Sequence, residues 1–437
     1  MLGRALRYFA RSMRDYTLRR PQLEALQAKR LRRTLSLAYD EVPHYHELMR
    51  QMGRTPVDFD TIDDLRQFPL LTKEEVILGG KGLVSRRGAS FVKEGSGTSG
   101  LPLRVYYDQN YVDHAIAFQL RKYAEFGVRP WDRLVTVWPP KKYWRRALFG
   151  RKKGKPTTWA EEMGALSTLA RMSKRALYLE AAEDDPGQDM RELVRMRPGF
   201  ALGRPSHFLR MAEFLPPGGA GMDLRGMECR HEAFTDDAAR KLEGAFGGKV
   251  MQGYGSNETG SGGAECRFQR GIHLNEDWLI YEVLRDGEQV GPGEMGELVV
   301  TVLLNDSMPL VRYATGDTVE LADGGACECG SWMVRVRKTL GRRQDWLKTA
   351  VGTLVPPLEV AEVAEAELGM KEYQIVQLKV GEFVVKSWSP ESDERRLAGP
   401  LRSYLTQLVG TPVTVAFVEQ ARDEIWLKSR SVASAVP

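Results

Sequence analysis

The chain has 437 residues, enough for two or more domains with substantial cores, and carries a net charge of +5. No apolar run approaches the roughly 18 residues that span a bilayer, and an arginine-rich stretch rather than an apolar signal core follows Met1, so a cytoplasmic protein is expected. Four cysteines (Cys229, Cys266, Cys327, Cys329) are too few for a disulfide framework but sufficient for one metal site.

The positive charge is local. Residues 1–40 hold ten Arg or Lys against three acids, and residues 141–155 hold eight basic residues and no acid, so the remainder is net acidic. Such patches suit a membrane surface contacted peripherally, an acidic carrier protein or a phosphorylated substrate; solvated helix faces and a surface loop account for them equally well. Nucleic acid is not expected, because the patches lack interleaved aromatics arranged as a stacking platform.

In chain order, apolar residues at helical spacing over 6–37 predict helices broken at Pro21. A short helix follows Pro43, another starts near Thr61, and Thr72-Lys73-Glu74-Glu75 is a capping box opening the next. Residues 95–100 form a Gly/Ser/Thr turn leading into the strand-like 103–107. Residues 110–126 read as an amphipathic helix, 133–138 as a buried strand, and helices are expected to about Leu179. Helices at 190–196, 206–214 and 236–246, with a strand at 249–251, continue a β/α alternation that predicts a mostly parallel sheet.

Strands and tight turns then predominate, at 278–284, 296–304 and 318–321, which predicts a β-rich subdomain over about 275–340. The expected organisation is a large domain over 1–340, a hinge at 341–348 and a small α+β unit over 349–437. That unit should hold a helix at 359–368, a hairpin through Val380-Gly381, a helix at 393–408 broken at Pro400, and a last strand at 413–417.

The chemistry-bearing stretches are distributed along the whole chain. Glycines in Ser96-Gly97-Thr98-Ser99-Gly100 let backbone N–H groups approach an anion, and the hydroxyls add donors. No Lys-Ser/Thr pair follows, so this is not the nucleotide loop that ends in Gly-Lys-Ser/Thr; taken alone it also reads as a flexible linker. Gly253-Tyr254-Gly255-Ser256-Asn257-Glu258 offers one carboxylate for a metal ion against phosphate, and Thr315-Gly316-Asp317 another for sugar hydroxyls. Arg342 and Gln344 lie at the domain boundary, and Lys428 near the end of the chain.

In this order the motifs resemble the adenylate-forming superfamily of acyl-CoA synthetases and adenylation domains, and within it the phenylacetate–CoA ligase branch. Ser96 to Pro102, Tyr254 to Glu258, Thr315 to Asp317, Gly341 to Lys348 and Lys428 fall where that family carries its signatures. The resemblance implies ATP-dependent formation of an acyl-adenylate, then transfer of the acyl group to the thiol of CoA. It implies that Ser96, Thr98 and Ser99 hold phosphates, Glu258 binds Mg²⁺, and Asp317 takes the ribose with Arg342 nearby. Glu232, Gly253 and Tyr254 would flank the adenine, Lys428 would bridge carboxylate and α-phosphate, and the small domain would turn about Gln344.

Three positions depart from the family pattern. Leu101 replaces a lysine, Asn257 stands where Ser or Thr is commoner, and Gln344 replaces an aspartate. Acyl-pocket candidates are Phe200, His231, Phe234, Gly260 and Ser261, suited to an aromatic or small acid, although a core or capping role fits His231 as well.

Cys266-x6-His273 and Cys327-x-Cys329-Gly330 together supply three thiolates and an imidazole, the donor set of a structural zinc; four reduced, partly buried cysteines are the other reading. The sequence leaves the oligomeric state open, with a homodimer as one assembly. Two other functional readings stay open. One is an activating enzyme whose acceptor is an amine or a carrier-protein thiol, and the other is a non-catalytic protein that binds through its basic patches.

Overall fold

The computed structural model describes residues 2–94, 103–129, 131–138, 157–158, 176–180, 185–215, 222–229, 234–371, 373–387, 390–419 and 431–436. The N-terminal helices run over Leu2–Tyr16 and Arg20–Glu41. The helices break at 17–19, and Pro21 lies in the first turn of the second, where its missing N–H costs nothing. The first helix lies along Gln109–Glu125, with the Tyr8 ring stacked on His114 and the Tyr8 hydroxyl donating to Asn110. The charge on this helix is partly used internally, through Arg4–Asp113 and Arg11–Asp15.

The Thr72 capping box forms as expected, with Thr72 accepting from Glu75 N–H and Glu75 accepting from Thr72 N–H. The stretch near Thr61 yields only a short 3-10 turn over Asp63–Gln67.

Among the described residues, a five-stranded sheet has the order Ala176–Glu180, Leu134–Trp138, Phe200–Gly203, Gly226–Cys229, Lys249–Met251, and every pair is parallel. Leu179 therefore belongs to a strand and not to the helical run expected there. Pro186–Met196, Pro205–Ala212 and Asp236–Phe246 bury Leu179, Val135, Val137, Ala201 and Met227 on one face of this sheet, and Phe126 packs with Phe200, Leu202 and Met251 on the other. A sheet covered on both faces shows no clean alternation to separate strand from helix.

An eight-stranded sheet runs in the order Glu288–Gln289, Leu279–Arg285, Met295–Val302, Tyr313–Leu321, Arg335–Arg342, Ile272–Leu274, Gly260–Glu265, Gly253–Ser256, and its pairs are antiparallel. It takes in three strands upstream of the expected β-rich segment, Gly253–Ser256, Gly260–Glu265 and Ile272–Leu274. Its inner face joins the N-terminal helices in one large core around Tyr45, Tyr111, Trp278 and Tyr313.

The C-terminal unit packs Pro357–Ala366 and Pro390–Val409 against a four-stranded sheet. Pro400 sits inside the second helix without ending it. Leu397, Leu401, Leu405 and Val409 bury a continuous stripe, while Pro400 is on the exposed side, where water can take the displaced carbonyl. The hairpin of Gln374–Lys379 and Glu382–Ser387 is flanked on both sides by parallel strands, Thr414–Glu419 and Val432–Ser434, and the latter had no counterpart in the sequence reading. The fully buried amide of Gln377 donates to Lys348 C=O and accepts from Lys348 N–H, both at 2.8 Å.

Candidate functional site

Two tyrosine–carboxylate bonds define the site. The Tyr254 hydroxyl donates to Asp317 Oδ2 at 2.8 Å, and the Tyr313 hydroxyl donates to Glu258 Oε1 at 2.9 Å. Tyr254 is on the last strand of the eight-stranded sheet, several strands away from Tyr313 and Asp317 in hydrogen-bond order. Direct contact across that gap requires the sheet to curl, bringing its Gly253–Ser256 edge onto Tyr313–Leu321. Burial, first of all, pushes both phenols far above their ordinary range, so they remain protonated donors.

Local chemistry explains each carboxylate's position. Ser256 Oγ accepts from the N–H groups of Glu258 and Thr259, each at 3.1 Å, closing the turn that presents Glu258. Gly260, which ends this turn, has φ +65°, and a Cβ there would lie 2.3 Å from the Tyr111 hydroxyl, so only glycine fits. Asp317 follows Gly316, at φ +75°, whose N–H donates to Glu297. Across the ladder Asp317 faces Arg342, with Nε 3.6 Å from Oδ1. Glu258 is half-buried, and its Oε2 carries no hydrogen bond among the described residues, leaving one carboxylate oxygen to face a cation such as Mg²⁺.

The Tyr107 hydroxyl donates to the carbonyl of Asn257. The hairpin of Phe91–Glu94 and Arg104–Tyr107, which brackets the Gly/Ser loop, therefore touches the Glu258 turn. Ser96, Gly97, Thr98, Ser99, Gly100, His231, Glu232 and Lys428 themselves lie outside the described residues. Beneath Gly253, Lys122 and Glu228 form a buried ion pair at 2.6 Å that the sequence did not announce.

Of the pocket candidates, Phe200 is fully buried beside Phe126 and Met251, and Phe234 packs half-buried on the parallel-sheet core. The carbonyl of Ser261 accepts from Asn275. At the boundary Gln344 is exposed and Asp345 buried, and Arg343 lies over the Trp346 ring at 4.8 Å.

Cys266, His273, Cys327 and Cys329 converge, with all four ligand atoms within 4.8 Å of one another. Cys266 Sγ lies 3.9 Å from Cys327 Sγ, and Cys329 Sγ lies 3.7 Å from His273 Nε2. Zinc–sulfur bonds of about 2.3 Å at tetrahedral angles separate two sulfurs by about 3.8 Å, so the Cys266–Cys327 spacing matches that of a closed zinc site and the chemistry of the four donors suits one. Tyr16 reaches it from the N-terminal helix, its hydroxyl 3.4 Å from Cys329 Sγ. The sequence reading had no signal for this outer contact, because 313 residues separate the partners.

The chain is 30% identical over 380 residues to a phenylacetate–coenzyme A ligase of Thermus thermophilus, covering 84% of this chain and 80% of the relative. It is 29% identical over 367 residues to the enzyme of the same name from Escherichia coli, covering 81% and 79%. No family model matches the chain. Among solved structures, a 2-hydroxyisobutyryl-CoA ligase in the postadenylation state superposes with a TM-score of 0.75 at 18% identity, over 97% of this chain and 91% of that one. That likeness establishes the fold, a large N-terminal domain and a small C-terminal one. With sequence identity sustained over four-fifths of the Thermus relative, the chain belongs to the phenylacetate–coenzyme A ligase family.

Proposed function

We propose that the protein is an ATP-dependent acid–thiol ligase. A carboxylate attacks the α-phosphate of ATP, giving acyl-adenylate and pyrophosphate. The CoA thiol then takes the acyl group and AMP leaves. The observation that carries this reading is the pair of crossed bonds, Tyr254–Asp317 and Tyr313–Glu258, which hold two carboxylates in one site.

In this reading Asp317 accepts from the ribose hydroxyls, and Arg342 both neutralises Asp317 and faces the nucleotide. Glu258 holds Mg²⁺, which when bound supplies positive charge against the phosphates. Tyr313 fixes the Glu258 carboxylate so that one oxygen is kept for that role. Ser96, Thr98 and Ser99 cradle the outer phosphates, Glu232 flanks the adenine, and Lys428 stabilises charge at the α-phosphate. The unit over 349–437 turns about 341–348, with Gln344 as pivot, so that Lys428 is withdrawn before thiol attack. Cys266, His273, Cys327 and Cys329 hold a structural zinc.

The names of the relatives support CoA as acceptor and an aromatic acid as substrate. The reading in which an amine or carrier protein accepts the acyl group depends on residues 141–155, which lie outside the described residues. The test is a carboxylic-acid screen for pyrophosphate exchange into ATP, followed by CoA-dependent AMP release. At least one acid should support both. If no acid supports exchange, the proposal fails.

A further inference from the structure

The Asp236–Phe246 helix begins directly after the segment expected to flank the adenine, and its N-cap is Thr235. Thr235 Oγ1 accepts from Ala238 N–H at 3.1 Å and donates its own proton to Glu365 Oε2 at 2.5 Å. Glu365 is 130 residues away, on the Pro357–Ala366 helix of the C-terminal unit. Its other oxygen accepts from the Tyr373 hydroxyl, at 3.3 Å, within that same unit. Three ion pairs, two of them sharing Lys338, accompany this half-buried contact. Lys338 Nζ reaches Glu362 at 3.0 Å and Asp236 at 3.9 Å, and Lys371 reaches Glu213 at 2.7 Å.

The ion pairs are largely solvated and discriminate weakly between arrangements. The Thr235–Glu365 bond differs, because it is charge-assisted, shielded, and made by a hydroxyl whose single proton has no second use. It also joins the two units that residues 341–348 connect.

We propose that Glu365 is a positioning residue. Through Thr235 it latches the C-terminal unit in the present arrangement and so sets the balance between the two half-reactions. This rests on the domain-turning reading given above. When the unit turns, Glu365 leaves Thr235 and both are rehydrated, so the bond stabilises one arrangement only and shifts its population.

The experiment measures acid-dependent pyrophosphate exchange and CoA-dependent AMP release in parallel, for wild type, Glu365→Ala, Glu365→Gln and Tyr373→Phe. Thr235 is left intact because it also caps its helix. In Glu365→Ala the ratio of the two rates should change by about fivefold or more, as expected for loss of a hydrogen bond to a charged group. Glu365→Gln, which keeps an acceptor oxygen but loses the charge, should recover part of the wild-type ratio and fall between wild type and Glu365→Ala. Tyr373→Phe, which breaks no contact between units, should stay within about twofold.

An unchanged ratio in Glu365→Ala, or an equal fall in both rates, overturns the latch while leaving the ligase reading intact. If wild type shows no exchange with any acid, the ligase reading falls, and the latch is judged by small-angle X-ray scattering. A wider distribution of dimensions in Glu365→Ala than in wild type then supports it, and identical profiles overturn it.

Discussion

Tyr313 and Glu258, 55 residues apart, share a hydrogen bond of 2.9 Å that holds one carboxylate oxygen and leaves the other uncommitted. The phenol orients the acid without neutralising it, because burial keeps the phenol protonated. Glu258→Gln should lower pyrophosphate exchange by about a hundredfold or more, since it removes charge where the proposed reading sets Mg²⁺ against phosphate. Tyr313→Phe keeps the charge and loses only the orientation, so the fall should be about three- to tenfold, accompanied by a raised Mg²⁺ requirement. Rates measured across a magnesium titration check both. Equal losses in the two variants would contradict the division of roles.

The cysteine cluster predicts about one zinc per chain by elemental analysis of the purified protein. Cys327→Ser should abolish that stoichiometry and lower the thermal midpoint by several degrees, because the staple joins strands far apart in sequence. Chelation of wild type should reproduce the shift, and added zinc should reverse it. A metal-free wild type that melts like Cys327→Ser would refute the site.

His114 carries a pH signature. Its pKa is pushed down to about 3, first by burial and then by Arg30, Arg11 and Arg33. The folded value lies below the unfolded value of about 6.5, so the neutral ring's contribution is fully present above that pH and is lost as pH falls towards 3. The slope is about 1.4 kcal/mol per pH unit, or roughly 2 kcal/mol by pH 5. His114→Phe keeps a ring against Tyr8 and removes the titration. Urea midpoints at pH 5 and pH 7.5 should therefore drop less in the variant than in wild type.

Legibility followed locality. The Thr72 box, the helix over Asp236–Phe246 and the strand over Lys249–Met251 were readable because cap chemistry and period act within a few residues. The metal donors were readable because Cys327-x-Cys329 and Cys266-x6-His273 keep their partners close in sequence. Leu179 and Pro400 misled for one shared reason: burial along a whole face outweighed the local signal. The bond from the Tyr254 hydroxyl to Asp317 was not readable, because the pairing follows only from the curl that brings the Gly253–Ser256 edge onto the interior strand Tyr313–Leu321. Val432–Ser434 is too short to announce itself and exists because Gln374–Lys379 offers it an open edge.

The Gln377 amide, bonded to both backbone groups of Lys348, fixes where the lever begins. In the proposed turning, everything from Lys348 onward would travel with the C-terminal sheet, and torsion would be concentrated in the few residues between Gly341 and Leu347. A swivel that short changes angle but gains almost no reach, so on the proposed turning Lys428 would approach and depart along an arc of nearly constant radius.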